Sequence, residues 1–465
     1  MTSSMATSSS SSSSVVVLMV PFLAQSHLDQ SLKLSHVISS YNIPVHYVSS
    51  TLHITQLKSR SSNPSTKIHF HSFEIPLLHP QPQPTDPLLL LDTRTKNFQD
   101  QILRVQASTH LREPIAALLS SLSQNSKRLV VVYDVLMSSA VQDVVSLPNA
   151  ECYSFHPLSV FMGLAINKKL SNNLPIPSQD IPSMESCLPD FSREFLASQL
   201  KLPISDFKSG SLHNSCRAIE GSSIEILGNE ERKLNRKVWA IGPLHKMIIT
   251  DCNEDKRLME WLDEQEVNSV LYISFGSLIS LSDEQIREIS IGLEQSGVKF
   301  IWVLREGDKL VDLGKRLSQV PDGFEERMKG MGMVVREWVP QVKILGHSST
   351  GGFMSHCGWN SCMESIGMGV PLLTWPMQSD QPFNALLITK VLKVGVAVME
   401  WSQRDELVTS SMISRGVRRI MGSDSEEGDE IRKRVVEMSE GVKQSVEEGG
   451  DCRLEWDSFI GHITR

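Results

Sequence analysis

Residues 350–361 read TGGFMSHCGWNS, an apolar run that breaks at a glycine-containing turn and opens into a helical pattern. Phe353-Met354 ends the apolar run, and Gly358 lies in the turn. Asn360 and Ser361 are favourable N-cap residues for the helix that follows. The stretch therefore predicts a buried strand, a tight turn and the start of a helix.

A turn of this kind is a candidate site for an anion. Its exposed backbone N–H groups and the positive end of the helix dipole both attract a phosphate group. His356 lies beside the turn and can donate a hydrogen bond to a phosphate oxygen. The alternative is an ordinary capped helix without a ligand, and these residues alone leave both interpretations open.

Strands and helices alternate along the rest of the chain. Apolar runs predict strands at Val15–Val20, Val45–Val48, Ile68–Phe73, Leu129–Tyr133, Val270–Phe275 and Phe300–Leu304. Helical patterns follow several of them, at residues 27–40 and after Ser282, which forms a capping-box spacing with Gln285. This alternation predicts an α/β fold with two doubly wound, Rossmann-like domains facing across a cleft. Ligands of such domains lie in the cleft, at the carboxyl ends of the strands.

Changes in composition divide the chain into five predicted parts. They are a disordered serine-rich tail (1–14), an N-terminal domain (15–243), a polar linker (244–256), a C-terminal domain (257–440) and a closing helix (441–465).

The composition excludes several classes of protein. Of the 465 residues, 40% are apolar and 21% are charged, which is globular, and a net charge of −8 favours neither nucleic acid nor an anionic membrane as partner. No run approaches the ~18 apolar residues of a membrane span. The seven cysteines include no C-x-x-C pair, which argues against a disulfide framework or a zinc site. We therefore expect a cytoplasmic protein that binds neither nucleic acid nor a membrane.

Two residues at strand ends are candidates for acid–base chemistry. His27 follows the first predicted strand at the start of a helix, where the dipole disfavours the imidazolium and keeps the ring neutral near pH 7. Asp134 ends another apolar strand, where a carboxylate could hold the imidazole tautomer. A structural or solvated histidine is the alternative.

The segment 338–381 is similar to a known family motif. The residues that match this motif in order and spacing are Trp338-Val339-Pro340-Gln341, His356, Gly358-Trp359-Asn360-Ser361, Glu364, Gly369-Val370-Pro371, Trp375-Pro376 and Asp380-Gln381. These residues resemble the donor box of plant UDP-sugar-dependent glycosyltransferases. Residues 321–327, the SCMES sequence at 361–365, and Tyr133-Asp134 with Gln142-Asp143 are similar to the zeatin O-glucosyltransferase branch.

The resemblance implies a GT-B fold, with an acceptor-binding N-terminal domain, a UDP-sugar-binding C-terminal domain and a last helix that packs back on the N-terminal domain. The donor-binding residues that it implies are Trp338 on the uracil ring, Gln341 and Glu364 on the ribose, Ser277, His356, Asn360 and Ser361 on the diphosphate, Trp359, Asp380 and Gln381 on the sugar, and Val339. It implies a monomer with no cofactor, in which the UDP-sugar is a co-substrate. No D-x-D occurs in the chain, so no metal is expected.

The resemblance also implies an inverting transfer of a hexose, expected to be glucose, with His27 as base and Asp134 as its partner. Relatives usually have glycine where this chain has Ser26, which can alter the turn. The expected acceptor is the side-chain hydroxyl of a zeatin-type cytokinin, and flavonoids, terpenoids or other small alcohols are the alternatives. Candidate acceptor-binding residues are Met137, Phe155 and His156, with core packing as the alternative for each.

Three other functions are less consistent with the sequence. Gly346 to Thr350 nearly matches the G-x-S-x-G of a hydrolase, but threonine replaces the last glycine. Residues 21–30 contain no glycine, which excludes the G-x-G-x-x-G of a nucleotide-dependent oxidoreductase. A non-catalytic nucleotide-sugar-binding protein is the alternative of another class, although a pure binder has no need for His27 and Asp134.

Overall fold

The computed structural model describes residues 14–60, 67–75, 102–167, 169–247, 256–276, 281–305 and 319–465. The predicted tail, apart from Ser14, lies outside the described residues. So do residues 248–255 of the predicted linker and the candidate Ser277.

The first half of the chain forms a seven-stranded parallel sheet with the order β3-β2-β1-β4-β5-β6-β7. The strands are β1 Val15–Val20, β2 Val45–Ser50, β3 Ile68–Phe73, β4 Arg128–Asp134, β5 Ala150–His156, β6 Gly210–His213 and β7 Lys237–Ala240. β1 is buried along its whole length, which explains its continuous apolar sequence. The strand order reverses between β1 and β4, so a crevice opens at their carboxyl ends.

The second half forms a six-stranded parallel sheet with the order β10-β9-β8-β11-β12-β13. The strands are β8 Val270–Ser274, β9 Lys299–Val303, β10 Gly332–Val335, β11 Thr350–Ser355, β12 Leu372–Thr374 and β13 Gly395–Ala397. Here the order reverses between β8 and β11. We call the parts built on the two sheets the N-terminal and C-terminal domains.

Helices connect the strands of both sheets. In the N-terminal domain they are Gln25–Ser40, Thr51–Arg60, 102–109, Arg112–Asn125, Val160–Ala165, Met184–Cys187, Asp190–Leu200, Ile204–Phe207, Arg217–Lys233 and Leu244–Met247, with 3₁₀ helices Val135–Ser146, Ser171–Asn173 and Ser178–Asp180. In the C-terminal domain they are Lys256–Asp263, Asp283–Ser296, Phe324–Arg327, Gln341–Leu345, Trp359–Gly367, Gln381–Leu386, Ser410–Met421 and Glu426–Val446, with the π-helix Leu387–Leu392 and the 3₁₀ helix Trp401–Gln403. The last helix is Asp451–Ile463.

The predicted α/β fold with two doubly wound sheets is confirmed, and each predicted strand is present with small shifts at its ends. One local prediction is wrong. Ser282 caps its helix by accepting from the Gln285 backbone N–H at 3.2 Å, but the Gln285 side chain does not complete a capping box. Its amide instead pairs with both backbone polar groups of Val408, at 2.8 and 3.1 Å, because these buried groups need partners.

The predicted closing helix 441–465 is divided in the structure, because residues 441–446 end the helix Glu426–Val446 and a separate helix, Asp451–Ile463, follows. This last helix lies against the first sheet. Trp456 is fully buried there, and its indole Nε1 donates to the backbone oxygen of Ile241 at 3.0 Å. Trp239 on β7 donates in turn to Ser458 Oγ at 3.2 Å. The preceding helix, Glu426–Val446, packs on the C-terminal domain, so the end of the chain spans both domains.

The two domains share buried apolar surface. One hydrophobic cluster includes Phe161 and Ile219 from the N-terminal domain and Ile366, Phe383 and Val435 from the C-terminal part of the chain. Burial of apolar surface is the main favourable contribution to the free energy of association, so this cluster holds the two domains together. In the described part of the chain, no helix is long and apolar enough to cross a membrane.

We expect Trp456→Ala to lower the free energy of unfolding by about 3–5 kcal/mol, because it removes a wholly buried indole and its hydrogen bond. Leu454 on the same helix is 56% exposed. The matched Leu454→Ala variant should therefore change the free energy of unfolding by less than about 0.5 kcal/mol. Urea unfolding followed by circular dichroism measures both. A loss of less than about 0.5 kcal/mol in Trp456→Ala would contradict a stabilising role of this indole.

Candidate active site

The crevice of the first sheet presents His27 and Asp134 together. His27 lies in the first turn of the helix after β1, and Asp134 ends β4. His27 Nδ1 is 2.6 Å from Asp134 Oδ2, while Asp134 Oδ1 accepts from the Leu136 backbone N–H at 2.9 Å. The carboxylate only accepts hydrogen bonds, so Nδ1 carries the proton and Nε2 keeps its lone pair. The sequence prediction of this pair agrees with the geometry.

Burial is the largest influence on the pKa of His27, but Asp134 and Asp380 together outweigh it. Burial lowers that pKa, whereas the charge and hydrogen bond of Asp134 and the charge of Asp380 raise it, and the net pKa lies above its ordinary value of 6.5. The expectation that the imidazolium would be disfavoured is therefore wrong. Asp380 belongs to the C-terminal domain, so groups from both domains act on this imidazole.

Ser26 is compatible with the turn that carries His27. It lies within the helix Gln25–Ser40, where helical backbone accepts a side chain without strain. Its backbone oxygen accepts from Asn360 Nδ2 at 3.4 Å. This contact joins the N-terminal helix to the start of the helix Trp359–Gly367 across the cleft.

His356, Cys357 and Gly358 form the turn that the sequence predicts as an anion site, and we call these three residues the anion turn. Burial lowers the pKa of His356 to about 4, so its ring is neutral at physiological pH. Gly276, with a φ of +80°, and Gly358 flank the ring, and a Cβ on either would lie 2.6 Å from His356 Nε2. Both glycines are therefore required for the histidine to sit at the helix start. The role of Gly276 was not predicted, because only the folded chain brings it to His356.

A polar network prepares the proposed ribose site. Gln341 Nε2 donates to Glu364 Oε2 at 2.8 Å and to Ser361 Oγ at 3.1 Å. The Tyr272 hydroxyl donates to Gln341 Oε1 at 3.3 Å, a contribution that the sequence did not reveal. Lys33 Nζ lies 3.9 Å from Glu364 Oε1, across the cleft. These contacts fix Gln341 and Glu364 relative to each other before a ligand binds.

Trp338 and Val339 differ sharply in exposure. The Trp338 side chain is 48% exposed and offers a flat aromatic face. Val339 is 6% exposed and packs in the core, so only its backbone is available to a ligand.

Gln381 and Asp380 stand at the start of the helix Gln381–Leu386. Gln381 Oε1 accepts from the backbone N–H groups of Met377 at 2.8 Å and Gln378 at 3.0 Å. This orientation leaves Nε2 to donate to a ligand hydroxyl. Burial raises the pKa of Asp380, although a hydrogen bond from Asn384 opposes the rise.

Trp359 is a correction to the predicted sugar contacts. Its side chain is 2% exposed, and the indole Nε1 donates to the backbone oxygen of Asn214 at 2.8 Å. The indole is thus a contact between the domains, where a large apolar ring with a satisfied N–H is most stable. The backbone N–H of Trp359 instead hydrogen-bonds to the Asp380 carboxylate.

The predicted acceptor wall also requires correction. Met137 and Phe155 are 1% and 0% exposed and pack in two hydrophobic cores, so neither side chain is available to a ligand. His156 stacks on His213 with ring centroids 4.4 Å apart, and its Nε2 is 2.9 Å from Ser154 Oγ. Burial holds the pKa of His156 below its ordinary value. Core packing, the alternative stated for these residues, accounts for Met137 and Phe155.

Two family descriptions match the chain: "Glycosyltransferase, N-terminal domain" over residues 13–246, and "UDP-glucoronosyl and UDP-glucosyl transferase" over residues 186–414. Zeatin O-glucosyltransferase of Phaseolus lunatus is 46% identical over 459 residues, which cover 96% of each chain. The chain belongs to the UDP-dependent glycosyltransferases. Zeatin O-xylosyltransferase of Phaseolus vulgaris is 45% identical over 96% of this chain and 98% of its own.

Solved structures agree with this assignment. Phytolacca americana UGT2, complexed with UDP-2fluoro-glucose and pterostilbene, has a TM-score of 0.75 at 26% identity and covers 97% of this chain and 100% of its own. Medicago truncatula UGT71G1, complexed with UDP-glucose, has a TM-score of 0.74 at 26% identity, with 97% and 99% coverage. The predicted GT-B fold and family are confirmed, and the transferase moves a sugar from a UDP-sugar to a small molecule. Among the described residues, no group of three or more His, Cys, Asp or Glu could hold a metal ion.

We expect Gly276→Ala to lower the affinity for UDP at least about tenfold, because the new Cβ would collide with His356. Gly297→Ala is the matched control. Gly297 also has a left-handed φ, +68°, but nothing lies within 4 Å of an added Cβ. Both variants carry about 1–2 kcal/mol of backbone strain, and only the first reaches the anion turn. Calorimetric titration with UDP separates them, and similar affinities for both variants would contradict this interpretation of His356.

Proposed function

We propose that this glycosyltransferase moves glucose from UDP-glucose to the side-chain hydroxyl of a zeatin-type cytokinin, with inversion at the anomeric carbon. The observation that carries the catalytic part is the 2.6 Å contact between His27 Nδ1 and Asp134 Oδ2 at the carboxyl ends of β1 and β4. The acceptor part is supported by two relatives with 46% and 45% identity, which are both named for zeatin.

His27 is the proposed general base, and Asp134 its partner. As the acceptor oxygen attacks the anomeric carbon, its proton passes to His27 Nε2. The bond from that carbon to the phosphate oxygen breaks on the opposite face, and UDP leaves with the electron pair. Asp134 stabilises the imidazolium that forms, which is why a buried carboxylate at 2.6 Å suits this position.

The anion turn is proposed to stabilise the leaving group. The negative charge that develops on the diphosphate would lie against the backbone N–H groups at the start of the helix Trp359–Gly367. His356 is kept neutral by burial, so it would shape the turn without adding charge to it. Asn360 and Ser361 stand in the same first turn, and Ser277 stays a prediction from the sequence.

The other donor contacts are proposed from exposure and geometry. The exposed ring of Trp338 would stack on the uracil, and the preformed pair of Gln341 and Glu364 would hold the ribose hydroxyls. Asp380 and the free Nε2 of Gln381 would bind the hexose. The two zeatin relatives are named for different sugars, glucose and xylose. We propose glucose because glutamine at the position of Gln381 usually accompanies glucose in this family.

We also propose that the transferase works as a monomer in the reducing cytosol. The reducing cytosol is supported by the six cysteines of the described residues, which are all buried and free; the monomer is carried over from the family resemblance.

We expect zeatin with UDP-glucose to give faster UDP release than flavonoid or terpenoid alcohols, or than UDP-xylose. His27→Ala should reduce kcat on zeatin by about 10²–10⁴-fold, because proton transfer to a positioned base is lost. His36→Ala, on the same helix but away from Asp134, is the matched control and should keep wild-type kcat. If His27→Ala releases UDP as fast as the wild type, the assignment of His27 as base is wrong. If the wild type releases no UDP with any acceptor, a nucleotide-sugar-binding protein is favoured.

We expect Asp134→Asn to change the pH profile of kcat in a direction fixed by the pKa of His27. A base acts when deprotonated, so kcat falls as the pH drops through that pKa. Asp134 raises the pKa, and its removal should move the acidic limb to lower pH while the plateau falls by about 10²–10⁴-fold.

The control for this variant is Asp143→Asn, at a partly exposed carboxylate in the helix that follows β4. Asp143→Asn should leave both the acidic limb and the plateau of the kcat profile unchanged. An acidic limb that stays in place or moves to higher pH in Asp134→Asn would contradict the pairing of Asp134 with the base.

A further inference from the structure

A fully buried amide, that of Asn384, lies directly behind the proposed sugar-binding carboxylate. The residue has 0% exposure. Its Nδ2 donates to Asp380 Oδ2 at 2.7 Å and to the backbone oxygen of Cys357 at 2.9 Å. Its Oδ1 accepts from Ser159 Oγ at 2.7 Å. One side chain therefore joins the sugar site, the anion turn and the N-terminal domain.

The orientation of this amide is determined by its partners. Asp380 Oδ2 and the Cys357 carbonyl only accept hydrogen bonds, so the NH₂ group must face them. A rotated amide would place its oxygen against two other oxygens in a buried site. Ser159 also accepts from the Met162 backbone N–H at 3.2 Å, which holds it in place to donate to Asn384.

Each contact of Asn384 acts on a part of the donor site. Burial raises the pKa of Asp380, and the hydrogen bond from Asn384 favours its charged form and lowers that pKa. Cys357 has a φ of +66°, a left-handed conformation that a cysteine adopts at a cost, and it lies between His356 and Gly358. The amide thus holds the carboxylate and the strained turn at a fixed separation.

We propose that Asn384 is a positioning residue for the sugar half of the donor site, which fixes the Asp380 carboxylate relative to the anion turn and to the N-terminal domain. The proposal rests on the proposed contact between Asp380 and the hexose. Asn384 itself does not touch the donor and acts through Asp380. A buried hydrogen bond to a charged group suits this role because it is short, directional and costly to break.

The test compares UDP-glucose with UDP, since only the first carries the hexose that Asp380 would hold. In Asn384→Ala, we expect the loss of affinity for UDP-glucose to exceed the loss for UDP by about tenfold or more, as measured by calorimetric titration of the full-length protein. A purely structural role would weaken both ligands by the same factor.

Asn149→Ala is the matched control. Asn149 is also an amide with three hydrogen bonds, to the backbone oxygens of Ser123 and Ser126 and from Ser123 Oγ, but it lies in the N-terminal domain away from the donor site. The Asn149→Ala variant should have a lower melting temperature, but the ratio of its affinities for UDP-glucose and UDP should be unchanged. If Asn384→Ala does not fold, Asn384→Ser, whose shorter side chain can donate only one hydrogen bond, carries the same expectation.

Two outcomes separate this proposal from the proposed function. If Asp380→Ala loses UDP-glucose selectively while both variants of Asn384 lose the two ligands equally, or lose neither, the positioning role is overturned and the sugar contact stands. If Asp380→Ala binds UDP-glucose as the wild type does, the sugar contact itself is wrong and the positioning role falls with it.

Discussion

The hydrogen bond between His27 and Asp134 is the constraint on which the reactive half of the cleft depends. It exists because the strand order reverses between β1 and β4, which brings the ends of two strands that are distant in sequence to one crevice. The buried carboxylate fixes the proton at Nδ1 of the neutral ring, which leaves the lone pair on Nε2. It also keeps the pKa of the imidazole high enough for a base, which burial by itself would not do.

The second sheet repeats this geometry for a different purpose. Its reversal lies between β8 and β11, and the loops at the ends of these strands supply Gly276 and His356. Their site contains a neutral ring and a helix start, so it stabilises negative charge with dipoles and N–H groups. In the proposed mechanism, one crevice removes a proton and the other receives the leaving diphosphate.

The relative position of the domains is fixed by apolar burial and by polar groups within it. The shared hydrophobic cluster supplies the free energy of association. The indole of Trp359 and the amide of Asn384 each have a buried hydrogen-bond partner across the interface, and a different domain arrangement would leave those polar groups unpaired. Apolar contacts stabilise many arrangements about equally, whereas these directional bonds select one.

Local patterns were sufficient to predict the alternation of buried strands and helices and the two-domain α/β fold, and the spacing of residues 338–381 indicated the donor box through its resemblance to the family. The sequence also made His27 and Asp134 candidates for acid–base chemistry, since both follow apolar strands, and the family resemblance assigned them the roles of base and partner. The folded structure was needed to show that the indole of Trp359 faces the other domain, that Phe155 lies in the core, and that Asn384 donates a hydrogen bond to Asp380. Side-chain direction and long-range partners depend on how the two sheets pack, and no short stretch of sequence encodes that.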